Sequence, residues 1–151
     1  MIIWKHCYPV GRIKSNEVAS DINSPIKTLE NYKLQYNALK EKMHQFPEIK
    51  FLIWTGATLV KEATTKEQAE RTKEFFNWVR EVWDEKGDNI YIWDLYSLQS
   101  EGGLYFKEEY ARSASDSHPS DEFSRKVYPL FCQRIVDIME GNGKNRDLAG
   151  K

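Results

Sequence analysis

Cysteine is scarce in this chain. Cys7 and Cys132 are the only two and lie far apart. No framework of disulfides can staple the fold, and no Cys/His cluster has the spacing of a zinc site. Excess charge of one sign is also missing. Twenty-two Lys and Arg face 23 Asp and Glu, for a formal net charge of −1. That removes the basic footprint of a nucleic-acid binder. Long apolar runs are missing too, and none approaches membrane-spanning length. Met1-Ile2-Ile3-Trp4-Lys5 lacks the basic start and apolar stretch of a signal peptide. No motif calls for a cofactor or a metal.

Aromatic residues are abundant, with five Trp, eight Tyr and seven Phe in 151 residues. This composition argues for one packed domain and against disorder. Residues 1–141 form the expected domain. Residues 142–151, after Gly141, are polar and expected to fray.

Ile2-Ile3-Trp4 is apolar on successive positions, as in a parallel strand covered on both faces. Val10 to Asn23 reads as an irregular connection. Ser24-Pro25 reads as the cap and first turn of a helix, whose inward stripe is Leu29, Tyr32, Tyr36, Leu39 and Met43. Pro47 closes it. Phe51–Trp54 is the second strand, followed by the loop Thr55-Gly56-Ala57-Thr58. Thr65 with Gln68 fits a capping box for a second helix, and Gly87 suits its stop. Ile90–Leu95 is the third strand. From Ser97 to Ser117 the apolar period is lost, apart from a short helical turn around Tyr105 to Tyr110. A last helix starts near Phe123, and Pro129 predicts a kink in it or two shorter pieces.

Strand and helix alternating in this way imply an α/β fold with a parallel sheet. Sites in such sheets lie beyond the C-terminal strand ends. Lys5-His6-Cys7, Thr55-Gly56, Asp94 and the stretch Ser115-Asp116-Ser117-His118-Pro119-Ser120 all fall at that edge. Within the last stretch, Asp116 stands two residues before His118. A carboxylate at that distance can orient an imidazole and stabilise its charged form, as a general base requires. Pro119 stiffens the backbone after it, and Ser120 can cap the helix that follows. Trp54, Trp93, Tyr96 and Tyr105 fall near the same edge, where they would suit a sugar or acyl group or serve as packing.

Asp116-Ser117-His118-Pro119, set between the last strand and a C-terminal helix, resembles the end of an SGNH (GDSL-type) hydrolase. The resemblance runs from Met1 to Gly141, and the histidine motif is its specific part. It implies a three-layer, flavodoxin-like parallel sheet and an ester hydrolase in which His118 is the base and Asp116 the orienting acid. The family's acid usually stands three residues before the histidine, where this chain has Ser115. The family also carries a serine nucleophile on Gly-Asp-Ser. No Gly-Asp-Ser or Gly-x-Ser-x-Gly occurs here. The first strand matches the family's third, with Lys5 and Cys7 standing where a glycine and an asparagine of the oxyanion hole would be. Thr55 and Gly56 fall on the same substrate edge. The resemblance therefore implies a domain without its first strands and a nucleophile outside this chain.

Two other functions fit the residues. One is a non-catalytic α/β module that binds a ligand. The other uses Cys7, beside His6, as nucleophile, although such a cysteine is more often a small hydrophobe. The expected partners are a small ester or acylated sugar, and a second molecule pairing through the open Ile2–Trp4 edge. No nucleic acid or membrane is expected.

Overall fold

The computed structural model describes residues 1–16, 19–56 and 58–151. Glu17 and Val18 of the first connection, and Ala57 of the loop after the second strand, lie outside them. Three strands, β1 (Ile2–Lys5), β2 (Phe51–Thr55) and β3 (Ile90–Asp94), form a parallel sheet in the order β1-β2-β3. Register is in step: Trp4 lies beside Ile53, and Ile53 beside Ile92.

Side chains alternate across the sheet, so consecutive apolar residues serve two cores. Phe51, Ile53, Ile90 and Ile92 pack with Tyr36, Phe75 and Trp83 from α1 (Leu29–His44) and from α2 (Lys66–Trp78) with its π-helical extension Val79–Trp83. Leu52 and Trp93 pack on the other face with Phe123 and Ile138 of α4 (Asp121–Met139). The result is an α/β fold with helices on both faces, compatible with a flavodoxin-like arrangement. β1 is different. Both outer strands have one strand neighbour, but the open side of β3 is covered by Arg134 and the chain's end, whereas on β1 Ile2 and Ile3 remain 49% and 46% exposed.

Three local expectations change. α1 starts after Thr28, whose hydroxyl accepts from Asn31 N, and not at Ser24-Pro25. Ser24 Oγ instead accepts from Ile26 N, closing a turn that Asn31 ties to the helix through the Ile26 carbonyl. The third strand ends at Asp94, and Leu95–Ser100 forms a short helix, α3, capped by that aspartate. No turn residue separates strand from helix, so the sequence pattern did not reveal it. Of the two outcomes expected at Pro129, two shorter pieces do not form: α4 runs through it as one element, and Phe123, Phe131, Ile135 and Ile138 from both halves pack into the same core cluster. The Thr65–Gln68 capping box forms as expected.

The end of the chain is docked. Asp94 N donates to the Leu148 carbonyl, Leu148 packs on the core, and Ala149 is buried. The guanidinium of Arg134, 1% exposed, donates to the carbonyls of Ile92 and Gly143. Burying a charged group without partners is costly, so these carbonyls draw the polar tail onto the domain.

Candidate functional site

The loop holding His118 is anchored on several sides. Arg112 N donates to the His118 carbonyl at 2.9 Å, and Ser120 N to the Tyr110 carbonyl at 2.8 Å. Buried Ser117 accepts from Val60 N at 3.0 Å through its hydroxyl, and its carbonyl accepts from the Tyr8 hydroxyl at 2.7 Å. The Tyr8 ring meets the His118 ring edge-on, with centroids 5.0 Å apart. Ser120 then caps α4 by accepting from Phe123 N.

Within this frame, Asp116 Oδ1 lies 2.6 Å from His118 Nδ1 and 2.9 Å from His118 N. The backbone contact is an Asx turn, which fixes the carboxylate before the ring is added. Those two hydrogen bonds hold the Asp116 carboxyl below its ordinary value. Ser115 makes no contact with the ring. Its hydroxyl faces Ser113 Oγ at 3.4 Å. Both members of the pair are partly exposed, so its value is orientation rather than stability.

Lys5, Cys7, Thr55, Gly56 and His118 line a single cavity of about 250 Å³ at the C-terminal strand edge. Asp116 stands behind His118. Gly56 has φ +144°, a conformation that favours glycine, and it carries β2 into the cavity wall. Lys5 Nζ lies 5.7 Å from the Trp54 ring centre. Cys7 is exposed at the rim and precedes a 3₁₀ turn, Tyr8–Arg12. Thr55 is fully buried, and its hydroxyl donates to Asp94 Oδ1 at 2.7 Å and accepts from Tyr96 N at 3.1 Å. It is a structural joint with no free hydroxyl.

Asp94 is no site group either. It is buried, paired to Arg80 at 2.7 Å and to Ser97 Oγ at 2.6 Å. Of the aromatics expected at this edge, Trp93 and Tyr96 belong to the core and only Trp54 lines the cavity. His6 lines it too, but it packs among Trp4, Tyr32 and Tyr36. Burial, with Lys27 nearby, lowers its pKa to about 4, so His6 is neutral and gives the Cys7 thiol no cationic neighbour.

Sequence reasoning did not find Tyr8 or Gln99. Tyr8 acts on the His118 loop from across the fold. Gln99 reaches the cavity only because α3 follows β3 directly. At the other end of the sheet, His44, Glu85 and Asp88 offer ligand atoms within 4.8 Å of one another. Lys40 already pairs with Glu85 and Lys144 with Asp88, each at 2.6 Å, so this cluster is a neutralised ion-pair network.

No protein-family model, curated protein or solved structure gives a significant match to this chain. Among the described residues, no helix is long and apolar enough to cross a membrane.

Proposed function

We propose that this chain carries the base-bearing part of an SGNH-type ester hydrolase. His118 acts as general base, Asp116 orients it, and the serine nucleophile comes from polypeptide outside this chain. The observation that carries this reading is the 2.6 Å contact between Asp116 Oδ1 and His118 Nδ1 at the wall of a cavity. With Nδ1 engaged, Nε2 is the nitrogen left to take a proton from a hydroxyl, and the carboxylate stabilises the imidazolium that results.

Two features support a nucleophile from outside. Both described hydroxyls on the cavity are committed as donors, Thr55 to Asp94 and Tyr8 to Ser117. β1 also has one open edge, and a parallel strand added there would end beside Lys5, at the rim where Tyr8 meets His118. In the same reading, the sheet is a three-layer flavodoxin-like one lacking its first strands. Lys5, Cys7 and Gly56 border the place where a carbonyl would react. A cavity of about 250 Å³ suits a small ester or one acylated sugar ring.

The test is hydrolysis of p-nitrophenyl acetate by the chain, alone and joined to whatever residues its gene encodes before Met1. The chain alone should show no turnover above a His118→Ala control, and the longer protein should hydrolyse the ester with His118→Ala removing the activity. Ester turnover by the longer protein that is equal with and without His118 would overturn the base assignment, leaving the cavity as the ligand site of a non-catalytic module.

A second reading uses Cys7 as nucleophile, because its thiol shares the cavity with His118. It predicts ester hydrolysis by the chain alone, lost in Cys7→Ser.

A further inference from the structure

Gln99 is 4% exposed, and its carboxamide makes no hydrogen bond to any described residue; Oε1 is buried without a partner. Unpaired buried polar groups are uncommon because each forfeits its hydration, so this one calls for an explanation. Gln99 lines the same cavity as His118. Its Oε1 lies 3.7 Å from where a Cβ on Gly56 would sit, so the unpaired oxygen borders the glycine wall of the cavity. A second cavity residue shows the opposite deficit: the indole Nε1–H of Trp54 is buried and also has no acceptor.

Two residues lining one small cavity therefore each hold a buried polar atom without a partner, an acceptor on Gln99 and a donor on Trp54. Neither carries formal charge. The group that satisfies such a pair is neutral and both donates and accepts, as hydroxyls do. A carboxylate or phosphate offers acceptors alone and would leave Gln99 Oε1 unpaired in this orientation, whereas a hydroxyl group can pair with both it and the indole. We infer that Gln99 is a specificity-determining residue that accepts a hydrogen bond from a ligand hydroxyl, with Trp54 Nε1 donating to a ligand oxygen, and that the ligand is a neutral polyol or sugar. This deepens the hydrolase reading by naming its substrate class, and it rests on that reading only for the chemistry that follows binding. A pocket built to pair a hydroxyl rejects the analogue that lacks it, because its buried polar groups are then left unpaired.

The experiment measures binding, so it does not depend on turnover. The isotopically labelled chain is titrated with methyl β-xyloside, methyl β-galactoside and myo-inositol, and with tetrahydropyran as the hydroxyl-free probe. N-methylacetamide serves as an amide control. The Gln99 carboxamide and Trp54 indole resonances are followed. At least one of the three hydroxylated probes should shift both resonances saturably, and tetrahydropyran should not. Gln99→Leu should weaken that probe by about tenfold or more and should raise the melting temperature, since it removes an unpaired polar group from a buried site. A role in packing alone predicts a lower melting temperature and no binding. If Gln99→Leu fails to fold, the two wild-type resonances still decide. Absence of saturable shifts, shifts with tetrahydropyran as large as with the hydroxylated probes, or binding of N-methylacetamide alone would overturn the assignment. Ester hydrolysis dependent on His118 would stand regardless.

Discussion

Asp116 Oδ1 accepts from His118 twice, once from the backbone N–H and once at the ring. Because one oxygen makes both contacts, the carboxylate cannot swing away from the imidazole without also breaking the turn. Asp116→Asn keeps the backbone contact but puts a neutral group beside Nδ1. In a hydrolase of the proposed kind, kcat should fall by about 10⁴-fold with the fold intact, the size seen when an orienting acid is replaced in this way. Circular dichroism and ester turnover measured together check it. An unchanged kcat would remove Asp116 from the mechanism.

His6 gives the chain a pH-dependent stability. Burial lowers its pKa from 6.5 to about 4 in the folded protein. The unfolded chain therefore binds the extra proton first. Stability is full above pH 6.5, falls as the pH drops towards 4, and changes no further below that on account of this group. The loss is on the order of 3 kcal/mol. His6→Phe keeps the ring contacts with Trp4, Tyr32 and Tyr36 and removes the titration. Urea unfolding between pH 4 and pH 8 should show the gap between variant and wild type widening in the variant's favour as pH falls. A constant gap would show that His6 titrates normally.

The docked tail should contribute to stability. Gly150 has φ +72°, and a Cβ there would lie 2.2 Å from the Leu130 carbonyl oxygen, so Gly150→Ala must push the tail off α4. Removing residues 142–151 takes the Gly143 carbonyl from buried Arg134 and the Leu148 carbonyl from Asp94 N. Each change should cost about 2 kcal/mol or more in denaturant unfolding. Truncation without loss would show that the tail only rests on the surface.

The free edge of β1 should make the chain self-associate. Ile2 and Ile3 are half-exposed, and an apolar groove bordered by Ile2, Trp4, Met43, Phe46 and Phe51 runs beside the strand. Covering a few hundred Å² of such surface gains about 25 cal/mol per Å². Sedimentation at rising concentration should show larger species, and Ile3→Lys should reduce them by placing a charge on the edge. A monomer at every concentration would show that the edge protects itself.

Residues close in sequence determined much of this protein by themselves. Asp116 and His118 stand two positions apart, so their contact requires only a local turn. Double-sided apolar runs at Phe51–Trp54 and Ile90–Trp93 determined two buried parallel strands, since each residue on either face must find a core. Thr65 with Gln68 and Ser120 with Phe123 determined helix starts through bonds three residues long. Lys5, Cys7, Thr55, Gly56 and His118 could be assigned to one edge because a parallel sheet brings all its strand ends to the same side. Tertiary structure alone decided the rest. Ser117 became an anchor because Val60 and Tyr8 reach it from distant segments. Thr55 and Asp94 turned inward to join strands and cap α3, which withdrew them from the site. The tail, polar and expected to fray, docked because Arg134 is buried by the fold and, beyond the Ile92 carbonyl of β3, bonds the Gly143 carbonyl of the tail. Gln99 entered the cavity for a similar reason. Which glutamine is left without a partner depends on how helix, strand and loop pack around it, and no spacing in the sequence records that.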